Sequence, residues 1–103
     1  MADTTSIPDP VMKLVRIVAK PGAMAPLKET LKTLEAATVL EIGCVEFSLY
    51  QGISDESTFV LLEHFVSQQA FSDHMKMPHT KAFFQAALVE SVHATDVPSL
   101  GTR

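Results

Sequence analysis

The sequence predicts a ferredoxin-like α+β fold of βαββαβ order, and three observations predict it. The first is the succession of hydrophobic periods: alternation, helical spacing, two further alternations, helical spacing again, then a weaker alternation. The second is the short loop Gly52–Ser57, with one Gly, one Asp and two Ser, which marks a hairpin between the second and third alternating runs. The third is the two-sided apolar character of the first and third of those runs, which calls for cover on both faces of a sheet.

Each element follows in order. Val11–Lys20 alternates, with Val11, Lys13, Val15, Ile17 and Ala19 on one side and Met12, Leu14, Arg16 and Val18 on the other. Pro21 and Gly22 end it. Pro26 suits a first helical turn, where its missing N–H would lack a partner anyway. Leu27, Leu31, Leu34 and Thr38 then recur at helical spacing, and the helix is expected to close near Gly43. Cys44–Gln51 alternates, placing Val45, Phe47 and Leu49 opposite Cys44, Glu46, Ser48 and Tyr50. In the third strand Phe59, Leu61, Glu63 and Phe65 share one face, and Val60, Leu62, His64 and Val66 the other. Ser67 is an N-cap, because its hydroxyl accepts a free backbone N–H. The short helix behind it carries Phe71, His74 and Met75 on one side. Pro78 opens a further helical segment, expected to reach about Glu90. Ser91–Val97 reads as a fourth strand.

A right-handed crossover sets strand two parallel to strand one with a gap between them, and strand three fills it. Both helical units then lie on one face. The other face is apolar, and a second copy placed against it gives a homodimer, the dimeric α/β barrel arrangement. Residues 1–10 are expected to form a mobile arm, 11–97 the single domain, and 98–103 a tail.

Composition narrows the function classes. The chain has 103 residues, 47% hydrophobic and 19% charged, which is the regime of one folded domain. A net charge of −4 and the absence of a basic run argue against nucleic acid. No stretch has transmembrane length, and the N-terminus lacks the regions of a signal peptide. With Cys44 alone, no intrachain disulfide can form. A cytoplasmic protein without a membrane partner is therefore expected.

Chemistry concentrates in residues 57–85, which hold three of the four histidines and five of the six phenylalanines. His74 and His79 are candidate general bases, since a neutral imidazole accepts a proton near neutral pH. Glu63, a carboxylate on an apolar strand, needs a partner; it is read either as orienting a histidine or as an ion pair, with Arg16 for example. His74 can equally bond a carboxylate or carbonyl at a helix end, and His79 can be a first-turn surface residue. Phe65, Phe71 and Phe83 are core residues first and pocket walls second. Tyr50 either offers its hydroxyl to a ligand or sits at a strand end. His64 points away from Glu63. A metal set of Glu63, His74 and His79 fits no standard spacing, and no metal is expected. Without a Gly-rich phosphate loop, no nucleotide cofactor is expected either.

The runs Glu41-Ile-Gly-Cys-Val-Glu-Phe, Phe59-Val-Leu-Leu-Glu-His-Phe, Ala70-Phe-Ser-Asp-His and Pro78-His-Thr-Lys-Ala-Phe resemble the antibiotic-biosynthesis monooxygenase family, over roughly Val11–Val97. The branch most similar is that of small bacterial quinol monooxygenases. The resemblance implies the fold, a homodimer, and cofactor-independent oxidation of a quinol-like or phenolic small molecule with O2. After that it admits a non-catalytic ligand-binding or stress-response dimer, and then an isomerase-type enzyme of signal-molecule breakdown. The Asn, Trp and Tyr used by the polyketide-oxidising branch fall on Leu61, Phe65 and Phe71. The Asn, Trp and axial His of the haem-degrading branch fall on Val15, Phe65 and Phe84. Neither set is present, whereas His74 with Pro78-His79 is shared with the quinol-oxidising and signal-degrading branches.

Overall fold

The computed structural model describes residues 9–98. Along the chain run β1 (Val11–Ala19), α1 (Met24–Thr38), β2 (Cys44–Gln51), β3 (Thr58–Phe65), α2 (Gln68–Met75), α3 (Pro78–Gln85) and β4 (Val89–Asp96). The strands form one sheet of order β2-β3-β1-β4, every neighbouring pair antiparallel. The ferredoxin-like α+β topology is thus present, with β3 in the gap between β2 and β1. The expected boundaries at residues 10/11 and 97/98 fall beside the ends of the sheet, and most of the expected arm and tail lies outside the described residues.

Alternation decides which face each strand residue takes. Val15, Ile17 and Ala19 of β1, Phe47 of β2, and Phe59, Leu61 and Phe65 of β3 are buried against Leu27, Leu31 and Leu34 of α1 and Phe83 of α3. Burying apolar area at about 25 cal/mol per Å² makes this layer the main source of stability. On the other face Leu14 is 43% exposed and Tyr50 55%, beside the half-buried Val60, Leu62 and Met12. The helices cover β1, β2 and β3 but leave β4 almost bare, from Glu90 to Asp96.

Three local expectations are corrected. α1 stops at Thr38, five residues before Gly43; its last turn closes with the Leu40 N–H on the Ala37 carbonyl and the Glu41 N–H on the Thr38 carbonyl. Gly43 is no helix cap. A Cβ there would stand 2.4 Å from the Cβ of Ala70, so the glycine lets the loop 39–43 lie directly on α2. The Val66 N–H bonds the Gly43 carbonyl and pins that loop to the end of β3. Second, a bulge between Cys44 and Glu46 offsets the alternation of β2. Cys44 therefore pairs with Phe65 and packs toward the core, while Val45 is exposed. Third, α3 ends at Gln85 because Ala87 takes a positive φ of 55°, which no helix accommodates.

Candidate active site

α2 and α3 set the first functional side chain. Ser67 accepts the Ala70 N–H and starts α2 where expected. Two turns on, His74 faces inward and is 3% exposed. Its ring lies among Phe65 (centroids 5.0 Å), Phe47 (5.5 Å) and Phe71 (6.3 Å). A polar ring in such a setting needs a partner, and it has one. Glu41, from the loop after α1, places Oε2 2.9 Å from His74 Nδ1 and 2.6 Å from His79 Nε2. Thr80 Oγ1 lies 3.4 Å from the same Nδ1. With Nδ1 held, Nε2 is the ring nitrogen of His74 without a hydrogen-bond partner among the described residues.

The expectation that Glu63 orients a histidine is corrected: Glu41 does so. Loop 39–43 is drawn onto α2 by the Gly43–Ala70 contact, and that brings Glu41 over both rings. The spacing of 33 and 38 residues from Glu41 to the histidines carries no local signal.

His74 lines a cavity of about 250 Å³ between the sheet and the two short helices. Its walls are apolar, with Ile17, Leu61, Phe71, Phe83, Phe84 and Val92 among them. Its polar groups are Lys13, Glu63, His74 and Thr80. This is the composition of a small-ligand site, apolar with a few convergent polar atoms.

Glu63 is 7% exposed and makes no hydrogen bond among the described residues. Burial pushes its carboxyl up to about 7, Lys13 pulls it down, and Glu41 pushes it up further. Arg16 is not its partner, because Arg16 stands opposite Val60 on the other face. Lys13 stands opposite Glu63 in register. Its ammonium goes instead to Asp96, 2.6 Å away, and lies 5.0 Å above the Phe71 ring.

Of the expected wall residues, Phe71 and Phe83 line the cavity. Phe65 is fully buried beneath it, edge-on to Phe71 at 5.7 Å, and supports the wall from behind. Tyr50 does not reach the site: it pairs with Val60 on the far face of the sheet and is 55% exposed. His79 lies outside the cavity, in a separate groove shared with Glu41, Gly43, Ser67 and Asp73. Lys13, Glu41 and Thr80 belong to the site although the sequence reading did not select them. Lys13 was detectable as the charge on the inward side of β1.

Among the described residues, the side chains that could hold a metal are Glu41, His74 and His79, whose donor atoms lie within 4.8 Å of one another. As they stand, a single carboxylate oxygen, Oε2 of Glu41, lies within hydrogen-bond distance of one nitrogen of each ring.

A four-stranded antiparallel sheet carrying helices on one face, with an apolar cavity beneath α2 and α3, defines a small α+β domain. The chain belongs to the antibiotic biosynthesis monooxygenase family, whose model matches residues 10–86. It is 31% identical over 70 residues to "Putative monooxygenase Rv0793" of Mycobacterium tuberculosis, a match covering 68% of each chain. The crystal structure of PA3566 from Pseudomonas aeruginosa superposes with a TM-score of 0.86 at 26% identity, over 93% of this chain and 99% of the other. The structure of Rv0793 superposes with a TM-score of 0.81 at 26% identity, over 89% and 96%. No helix among the described residues is long and apolar enough to cross a membrane.

Proposed function

We propose that this chain is a monooxygenase that oxidises a phenolic or quinol-like small molecule with O2, His74 serving as the base. The observation that carries the reading is the held imidazole: Nδ1 is fixed by Glu41 and the ring lines an apolar cavity. An Nδ1–H donated to Glu41 makes Nε2 the acceptor, the form a general base requires.

The chemistry follows from that tautomer. The substrate hydroxyl gives its proton to Nε2. The phenolate passes one electron to O2, leaving a phenoxyl radical and superoxide. These couple to form a carbon–oxygen bond at a ring carbon bearing hydrogen. The peroxide takes up a proton, and loss of water across the O–O and C–H bonds leaves a carbonyl. One oxygen atom ends in the product and one in water. The apolar walls shield the radical pair from solvent. Glu63, protonated below about pH 7, donates a hydrogen bond toward the substrate oxygen, and Lys13 attracts the anion. Phe71 and Phe83 bind the flat ring. The volume, near the lower limit for ligand pockets, favours one or two fused rings. The mechanism calls on no cofactor, so turnover persists after chelator treatment.

Assembly and location belong to the same proposal: a homodimer joined through the bare sheet face around Leu14 and Leu62, in the cytoplasm. Leu62→Asp buries a charge in that interface. It converts the dimer to a monomer in light scattering, and a wild-type chain that is monomeric at micromolar concentration overturns this arrangement. The functional test is an oxygen-electrode screen of phenols and hydroquinones. His74→Ala lowers turnover on a true substrate by about a hundredfold or more. If no compound consumes oxygen, a ligand-binding role or a non-redox reaction replaces this reading.

A further inference from the structure

Glu41, His74 and His79 come from three different elements and meet at one point. Glu41 stands on the loop 39–43, His74 on α2 and His79 on α3. Oε2 of Glu41 lies 2.9 Å from Nδ1 of His74 and 2.6 Å from Nε2 of His79, and the three donor atoms fall within 4.8 Å of one another. Each element is held from outside the group. The Gly43–Ala70 contact and the Val66 N–H on the Gly43 carbonyl hold the loop. The Ala70 N–H on the Ser67 hydroxyl holds the start of α2, and Pro78 starts α3. Donors fixed in this way lose little freedom on binding a ligand.

The local charge calls for a cation. The Glu41 side chain is 7% exposed, and no Lys or Arg pairs with it among the described residues. Two imidazoles in their neutral form leave a buried carboxylate uncompensated. Its neighbours add negative charge: Glu63 lies close enough to feel Glu41 across the core, and Asp73 lines the same groove. Lys13, the cation facing Glu63, is committed to Asp96.

We propose that Glu41, His74 and His79 form a binding site for one divalent transition-metal cation of the zinc type. Two imidazole nitrogens and one carboxylate oxygen are a donor set that zinc takes with three protein ligands, water completing the tetrahedron. Bonds of about 2.0–2.1 Å set the donors of a tetrahedron roughly 3.3 Å apart, so Oε2 withdraws from each ring by less than about 1 Å. Water reaches the cation from the groove that Glu41 and His79 line, where the His79 side chain is 22% exposed. The sequence reading weighed Glu63 as the carboxylate of such a set and expected no metal; the fold brings Glu41 to the two rings in its place.

The cation acts on the reaction, and this part rests on His74 being the base. A neutral imidazole carries one hydrogen. Zinc on Nδ1 of His74 puts that hydrogen on Nε2, so the nitrogen that accepts the substrate proton becomes a donor. His79, bound through Nε2, keeps its hydrogen on Nδ1. The three groups gain and lose no proton and no electron, and their summed charge rises by the two charges of the cation. Zinc therefore switches turnover off, and a chelator switches it on.

The test uses the full chain, stripped with chelator and then freed of it. Zinc is titrated in competition with a chromophoric chelator, and ¹⁵N-histidine NMR spectra are recorded with and without zinc. The expected result is one zinc per chain with a Kd of about 1 μM or tighter, His74 bonded through Nδ1 and its hydrogen on Nε2. Glu41→Gln and His79→Phe each weaken binding by about a hundredfold or more. His64→Gln and His93→Gln, which change the two histidines of the opposite sheet face, leave it unchanged. No zinc bound at about 100 μM, binding lost with His64 or His93, or a hydrogen that stays on Nδ1 of His74 in the presence of zinc overturns the site. The NMR spectra need no variant, so a substitution that unfolds the chain does not shelter the proposal. On a substrate from the oxygen-electrode screen, zinc lowers turnover by roughly tenfold or more and chelator restores it. Zinc that binds as described without slowing turnover contradicts the switch, and with it His74 as the base, while the site stands. If the wild type oxidises no phenol at all, the base reading fails by itself, and the zinc titration and spectra still decide the site.

Discussion

Two buried carboxylates flank His74, and they are solved in opposite ways. Glu41 sits at the loop end of the site with two imidazoles on a single oxygen. Glu63 sits in the middle of β3, at the cavity, with no hydrogen bond among the described residues. Both side chains are 7% exposed, so burial alone does not set their behaviour. Glu41 has partners that share its charge. The cation facing Glu63, Lys13, is committed to Asp96, and burial dominates. The pair shows how one small domain can keep an orienting anion and a proton-bearing acid around the same ring.

Glu63→Gln breaks the comparison most strongly. In the fold the Glu63 carboxyl titrates at about 7, above its ordinary value of 4.5. A raised acid favours the folded state fully below its unfolded value, and that contribution is lost as pH climbs to 7. The loss is on the order of 3 kcal/mol. Wild-type stability therefore declines between about pH 4.5 and 7 in urea titrations, and Glu63→Gln removes most of that decline. Equal slopes for the two proteins would mean that Glu63 has a partner after all.

Gly43→Ala sharpens the other side. The added methyl meets Ala70 at 2.4 Å, so the loop carrying Glu41 has to shift off α2. The expected cost is about 1–3 kcal/mol in chemical denaturation. Turnover should fall with it, because Glu41 loses its hold on His74. Normal activity in a stable Gly43→Ala protein would separate the loop from the site.

The contrast between the carboxylates was only half legible in the sequence. Glu63 stood out because strict alternation put it among Phe59, Leu61 and Phe65, all of which are buried. The Ser67 cap and the inward aim of His74 were legible for the same reason: they depend on neighbours within a turn or two. Glu41 was not, since its place depends on where α1 ends and on a glycine chosen for close packing rather than for backbone freedom. The bulge at Cys44–Glu46 and the left-handed Ala87 were equally silent, each a single-residue departure from a regular period. Tyr50 was assigned by chemistry alone, and its strand face sends it to the opposite side of the sheet.

Ala87→Gly has the smallest expected effect and touches neither carboxylate. Relief of the positive φ should raise stability by about 1 kcal/mol or less in the same denaturation assay, with turnover unchanged. A loss of stability would mean that the Ala87 methyl contributes packing that outweighs its backbone strain.

The account turns on His74 as the base for oxygen insertion. The most direct measurement follows ¹⁸O₂ into product by mass spectrometry, for a phenolic substrate found by the oxygen-electrode screen, with wild type and His74→Ala side by side. The expected result is one labelled oxygen per product molecule in the wild type and a rate lower by about a hundredfold or more in the variant. Unlabelled product, or equal rates from the two proteins, would contradict it.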